Sequence, residues 1–169
     1  MVNISKYGIF FNFQGEIIRL PVNPETIRVK KEGDNKTHQV LKLGEINVLG
    51  DMKLSQIDFE VLLPGRIYPF VLTKNDFKEP DFYLEKFDNY MRSKEPVRIV
   101  ITGEPMAINY LVSIENVECE KRAGEEEDIY MKLELKEYRE YGLKTFIAAG
   151  DNKGKINQVY LQNVNRPKV

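Results

Sequence analysis

Between Leu54 and Leu63 the residues alternate with a period of two: Ile57, Phe59, Val61 and Leu63 fall on one side, and Gln56, Asp58 and Glu60 on the other. Only a β-strand sends every second side chain to the same face, so this segment is predicted to be a strand with one buried and one wet side. It lies within a longer stretch, Leu20 to Phe70, bounded by two proline corners, Leu20-Pro21-Val22-Asn23-Pro24 and Leu63-Pro64-Gly65 through Pro69. Proline fixes φ, removes a backbone donor and biases the preceding residue to extended geometry. The stretch therefore reads as strands joined by rigid corners. Such an arrangement builds a surface, and it contains no cluster of catalytic side chains.

The chain on either side reads mainly as β-structure. Tyr7 to Phe13 and Ile17 to Leu20, separated by Gln14-Gly15-Glu16, form an opening hairpin. Thr26 to Lys30 and Lys36 to Leu43 read as strands, separated by a turn at Glu32 to Asn35. Gly44 and Gly50 bracket a short alternating strand, Glu45 to Leu49. Glu79-Pro80-Asp81 starts a helix, and Tyr83, Leu84, Phe87, Tyr90 and Met91 recur at three- and four-residue spacing up to Lys94. The apolar run Val97 to Ile101 is predicted to lie inside a sheet. Ile108 to Glu115 and Ile129 to Lys136 alternate as the arms of a long antiparallel hairpin, and the phase slip near Glu137 suggests a bulge there.

The tip of that hairpin, Glu118 to Asp128, is rich in acids but lacks the spacing of a calcium loop and reads as a solvated end. Beyond Gly142 the pattern loosens. Gly150 to Lys155 is polar, and Ile156 to Leu161 is a short β-like piece in a basic tail. The expected class is α+β: a mainly antiparallel sheet or partly open barrel, one amphipathic helix over about 80–94 packed on it, and an extended C-terminal arm. The expected organisation is a β-rich domain over 1–145 and an arm or linker over 146–169.

Composition narrows the function. At 169 residues one core is expected, burying roughly 70% of the unfolded surface. The 25 Lys+Arg against 26 Asp+Glu leave a net charge of −1, so no bulk electrostatic drive toward nucleic acid or an anionic membrane is expected. Cys119 is the only cysteine and His38 the only histidine, which removes an intrachain disulfide and the usual thiolate and imidazole metal ligands. Cys119 sits in an alternating strand, where a small buried or edge thiol is the ordinary case. Phosphate-loop, dinucleotide and nucleophile-elbow motifs are absent, and Asp58 with Glu60 reads as a solvated pair of carboxylates. The N-terminal residues show no secretion signal or membrane span, the longest apolar run being Ile9-Phe10-Phe11. No catalytic, cofactor or metal residue is assigned, and the expected partners are proteins.

Several landmarks occur in one order: LPVNPE (Leu20 to Glu25), NKTHQVLKLGEINVLGDMKLSQIDFEVLLP (Asn35 to Pro64), RIYPFV (Arg66 to Val71), EPDFYLEKFDNYMRSKEPVRIVITG (Glu79 to Gly103) and LELKEYREYGLK (Leu133 to Lys144). Over roughly residues 7 to 145 this order resembles the N-terminal domain of the LysM-type baseplate proteins of contractile phage tails and phage-tail-like particles, of the Gram-positive myophage and PBSX-type prophage kind. The resemblance implies a non-enzymatic structural subunit made in the bacterial cytoplasm and assembled into a particle. It would join the central hub and tube to surrounding wedge or sheath-initiating proteins, in six copies around the tail axis. After Lys144 no Gly-Asp-Thr-Leu type signature of a LysM module is present, so the resemblance does not by itself imply peptidoglycan binding, and the chain is either a naturally short member or the ordered part of a longer one. Two other readings stay open: a tail-tube or tube-adaptor protein, and a small cell-wall carbohydrate-binding module. The candidate contact residues are Pro21, Asn23 and Pro24 at one corner, Tyr68, Pro69 and Phe70 at the other, and Lys153, Lys155, Val159, Tyr160, Leu161 and Arg166 in the tail, which could be laid on a neighbouring subunit.

Overall fold

The computed structural model describes residues 7–103, 105–125 and 127–141, and the backbone of two further strands over 144–150 and 156–163. The chain divides into two compact units, Met1–Tyr138 and Arg139–Val169.

The first unit opens with the expected hairpin, β1 (Gly8–Phe13) and β2 (Glu16–Arg19). Phe13 pairs with Glu16, leaving a two-residue turn in which Gln14 and Gly15 both take positive φ, 50° and 91°. Turns of this hand match the twist of the strands they join. Asn12 Oδ1 accepts a hydrogen bond from the Gly15 N–H at 3.1 Å and holds the turn. Further along come β3 (Ile27–Lys30), β4 (Lys36–Val40), β5 (Gly44–Val48), β6 (Gln56–Leu63), a helix α1 (Pro80–Ser93), β7 (Val97–Thr102), β8 (Ile108–Glu120) and β9 (Ile129–Glu137). Seven strands form one antiparallel sheet in the order β2-β1-β7-β8-β9-β6-β3, with β4 and β5 as a separate two-stranded ribbon. The sheet ends at β2 on one side and β3 on the other and is not closed into a barrel.

The alternation that announced β6 is realised in register. Ile57, Phe59, Val61 and Leu63 lie opposite Leu135, Leu133, Met131 and Ile129, and all eight are buried. Helix α1 covers another part of the core. Pro80 occupies its first turn, where its missing donor costs nothing, and Lys94 closes it in the left-handed conformation, φ 56°, donating to Met91 O. Tyr83, Phe87 and Tyr90 are buried at helical spacing. Met91 belongs to the exposed side, so the apolar stripe is narrower than the sequence suggested. Phe87 meets Phe11 edge-on, 5.0 Å between ring centres, and Tyr90 packs on Phe13 at 4.6 Å.

The opposite face of the sheet is charged and zipped across strands. Glu60 pairs with Arg122 at 2.7 Å, Asp58 with Arg28 at 3.9 Å, and Lys132 with Glu134 and Glu118 at 2.9 and 3.5 Å. The carboxylates of β6 are thus partnered members of a solvated face. Exposed pairs of this kind contribute about 0–1 kcal/mol each. The phase slip near Glu137 has a different origin from the bulge expected there. β9 simply ends at Glu137, while the irregular register lies on β8 between Ile114 and Asn116.

In the second unit β10 (Lys144–Gly150) pairs antiparallel with β11 (Ile156–Asn163). The tail is therefore a hairpin, where the sequence pattern had indicated one short piece. Its register sets Phe146 opposite Leu161, Ile147 opposite Tyr160 and Ala148 opposite Val159.

Candidate docking surfaces

The β3/β6 ladder does not stop at Lys30 and Gln56. It continues through Lys53 N to Glu32 O and Asp34 N to Asp51 O, each 2.8 Å, and a Gly33–Met52 bridge, into the β4–β5 ribbon. From the Lys30–Gln56 pair to Gly33–Met52, and again to Lys36–Val48, three residues on one arm face four on the other. Each extra residue acts as a bulge that bends and twists the ribbon out of line with the sheet. Gly50 allows the second step: a Cβ there would lie 2.1 Å from Asp34 O. Asn35 Oδ1 accepts the Gly50 N–H at 3.0 Å.

At the root the ribbon is held firmly. Ser55 is buried, and its N–H and Oγ–H both donate to Glu137 Oε2, at 2.9 and 2.7 Å, while Glu137 N donates to Ser55 O at 2.8 Å. At the tip it is bare. Every β4 residue is exposed, and in β5 only Ile46 is partly covered. The register places Val40, Ile46 and Val48 on one face with Lys36 and His38, and Thr37, Gln39, Glu45 and Asn47 on the other. The loop between the strands is Leu41-Lys42-Leu43, with Leu41 92% and Leu43 72% exposed and Lys42 at φ 68°. Leu49, past the other end of β5, is 80% exposed. Hairpin loops are ordinarily polar, with Gly, Asn or Asp where φ is positive. An apolar loop on an uncovered ribbon marks a contact element.

None of these leucines was among the residues singled out from sequence. The available signal was the composition of the turn: apolar residues on both sides of a lysine directly before Gly44, with no helix period to absorb them.

The two proline corners divide in character. At the first, Pro21 and Pro24 are buried, and Asn23 donates through Nδ2 to Tyr7 O at 3.2 Å. Pro21 O accepts the Leu72 N–H at 2.8 Å, which fastens this corner to the segment leaving the second. At the second corner Pro69, Phe70 and Ile67 are exposed, Tyr68 is half-buried, and the Tyr68 and Phe70 rings stack at 5.1 Å and 6°. The Arg66 guanidinium lies 4.9 Å from the Tyr68 ring centre.

Asp128 holds this second corner. It is buried, and its two oxygens accept the Gly65 N–H and the Tyr68 O–H, both at 2.8 Å. A residue placed by its acidic neighbours in a solvated tip is therefore a structural clamp. Gly65 passes so close to Glu127 that a Cβ would lie 2.3 Å from Glu127 O. Leu62, Arg66, Tyr68, Phe70, Glu125, Glu127 and Tyr130 surround an open hollow of about 630 Å³ beside the clamp. The Tyr130 hydroxyl is held above its ordinary range, first by its hydrogen bond to Glu125 and then by burial.

Cys119, read as a buried or edge thiol, is exposed on the inner strand β8, with partial burial pushing its thiol pKa up. Among the described residues no group of three or more His, Cys, Asp or Glu is placed to hold a metal ion. No helix among them is long and apolar enough to cross a membrane. Of the tail residues singled out, Val159, Tyr160 and Leu161 lie on β11, and Lys153, Lys155 and Arg166 lie outside the described residues.

No protein-family model matches the chain. It is 31% identical over 138 residues to YqbP, an uncharacterized protein of Bacillus subtilis (strain 168), an alignment covering 80% of this chain and 60% of YqbP. The chain thus spans well under two thirds of that relative's length. Among solved structures, a chain in the virion of a native gene transfer agent particle matches with TM-score 0.52 at 12% identity, covering 83% of this chain and 96% of that one. A chain in the tail of the empty gene transfer agent particle, refined with C6 symmetry, matches with TM-score 0.53 at 11% identity over the same shares. The fold of this chain is shared with those components of tailed particles.

Proposed function

We propose that the chain is a structural subunit of a contractile phage tail or phage-tail-like particle, a baseplate component that links the central hub and tube to the surrounding wedge or sheath-initiating proteins. The observation that carries this reading is the pairing of an uncovered apolar ribbon with a fold that matches, over nearly their whole length, chains of a tailed particle. A charged, ion-paired sheet face and rigid corners supply fixed surfaces, and no catalytic step is part of the role. The order of landmarks from LPVNPE to LELKEYREYGLK supports the baseplate within the tail. Six copies around the axis agree with the C6 symmetry of the gene transfer agent tail. Partners are other tail proteins, with synthesis in the bacterial cytoplasm before assembly.

In this reading the 146–169 arm, with Lys153, Lys155, Val159, Tyr160, Leu161 and Arg166, lies on a neighbouring subunit. A two-stranded hairpin alone is marginal in water, so it gains by such a seat. Tyr68, Pro69 and Phe70 present a contact corner, which Pro21, Asn23 and Pro24 brace.

The test is deletion of the gene in a strain that makes the particle, with complementation by the full chain or by a chain lacking 150–169. Loss of complete baseplates, restored by the full chain only, is expected. Normal particles without the protein overturn the assignment, and normal assembly with the truncation removes the arm. A tail-tube role is favoured by the match to the helically refined gene transfer agent tail. Growth of tubes by the purified chain alone would select it over the baseplate.

A further inference from the structure

The ribbon tip and the hollow of the second corner lie at opposite ends of one strand. β6 begins at Gln56, the root of the ribbon, and ends at Leu63, which leads through Pro64 into Gly65 and Tyr68. Eight residues at about 3.3 Å each separate the two ends by roughly 26 Å, and the ribbon from Lys31 to Val40 carries the tip away from that root. The two sites also complement each other. The tip is aliphatic with one cation, Leu41-Lys42-Leu43; the hollow is walled by Leu62, Tyr68, Phe70 and Tyr130, with Glu125 and Glu127 exposed against the single guanidinium of Arg66 among its described residues.

We infer that the Leu41-Lys42-Leu43 tip of one copy docks in the Tyr68–Phe70 hollow of a second copy of this chain. Leu41 and Leu43 lie on the aromatic wall, and Lys42 faces Glu125 and Glu127. Because tip and hollow are different patches, the contact is heterologous: it repeats from copy to copy and either closes a ring or extends a stack. A loop of three residues covers far less than the roughly 800 Å² per partner of a standard stable pair, so the contact holds through repetition and not as an isolated dimer. The inference rests on the assembly reading only in requiring several copies side by side.

Disulfide capture tests it, because a cross-link records a weak contact. In a Cys119→Ser background, which removes the exposed native thiol, full chains carrying Leu41→Cys are mixed with chains carrying Phe70→Cys, and separately with chains carrying Glu125→Cys. Mild oxidation is expected to link the mixed pairs at least about tenfold over either chain with itself, and a chain bearing both cysteines is expected to give a ladder. Lys42→Glu should lower the mixed yield by about tenfold, with recovery when the other chain carries Glu127→Lys. Links of Leu41→Cys to itself alone, or no links at all, overturn the inference. When the same oxidation is carried out on assembled particles, linkage of Leu41→Cys to a different tail protein, with none to the hollow, overturns it while leaving the tail assignment standing.

Discussion

β5 and β6 carry the same kind of pattern and meet opposite fates. In β6 the apolar residues Ile57, Phe59, Val61 and Leu63 are sealed against β9 and the core; in β5 Ile46 and Val48 alternate with Glu45 and Asn47 just as regularly, yet on the ribbon face they share with Val40 only Ile46 is partly covered among the described residues. Alternation states that one face is apolar. It does not state that the same chain covers it. Within the first unit, the strand that was easiest to recognise builds the core, and the strand that resembled it builds a surface for others.

The largest difference between the two should appear in stability. Phe59→Ala empties a buried aromatic site and is expected to cost about 3–5 kcal/mol. Val48→Ala removes half-exposed methyl groups and should stay within about 0.5 kcal/mol. Urea unfolding of the two variants beside the parent checks this. A loss at Val48 comparable to that at Phe59 would mean the ribbon is covered within the chain, and the contrast would fail.

Next in size is the clamp at the far end of β6. Gly65 N–H and Tyr68 O–H both donate to Asp128, so the site requires two acceptors. Asp128→Ala should cost about 2–3 kcal/mol, since two donors lose a charged partner in a buried place. Asp128→Asn should cost roughly half as much, because an amide offers one oxygen where two are needed. Equal losses for the two variants would show that shape, and not acceptor number, holds the corner.

The clamp also shows where sequence reading stops. The opening hairpin, the helix with Tyr83, Phe87 and Tyr90, and the arms of β8 and β9 were legible because each rests on local spacing or a turn residue. Asp128 was not, because its partners lie sixty or more positions upstream and its neighbours in sequence are solvated acids. The order of the sheet, with β9 between β8 and β6 and β3 at its edge, depends on such distant pairings too. β10 escaped notice because Phe146-Ile147-Ala148-Ala149 is a continuous run without alternation. The proposed docking tip escaped for the converse reason: Leu41 and Leu43 look like core residues, and only their exposure among the described residues points to a contact.

Smaller effects are expected at the root of the ribbon and under the helix. Ser55→Ala removes one of the two bonds to Glu137 and should cost about 1 kcal/mol, with faster amide exchange through 31–53 as the root loosens. Exchange unchanged there would assign the ribbon's direction to its bulges instead. On the covered side, the Tyr90 hydroxyl is buried with no hydrogen-bond partner among the described residues, and burial followed by the nearby Glu16 charge pushes its pKa up to about 12. The folded state thus keeps a proton that the unfolded chain gives up near pH 10. Stability is unaffected below about pH 10 and falls as pH rises toward about 12. Tyr90→Phe should be neutral or slightly stabilising at pH 7 and should reduce that alkaline loss; an unchanged alkaline slope would exclude Tyr90 as its source.

The smallest stability effect belongs to the most exposed large hydrophobic among the described residues, Leu41, and its neighbour Leu43. Leu41→Asp and Leu43→Asp place a charge where water already surrounds the side chain, so unfolding free energy should shift by no more than about 0.5 kcal/mol. Leu43→Asp in the Leu41→Cys chain should also abolish capture of the tip by the Tyr68–Phe70 hollow, since it sets a carboxylate against Glu125 and Glu127 and removes an aliphatic contact. In β6 a polar substitution on the apolar face would damage fold and assembly together. At the tip the two separate, and that separation is what distinguishes an apolar face kept for a partner from one the chain uses itself. A large loss of stability in Leu41→Asp would place the tip within the fold and remove the distinction.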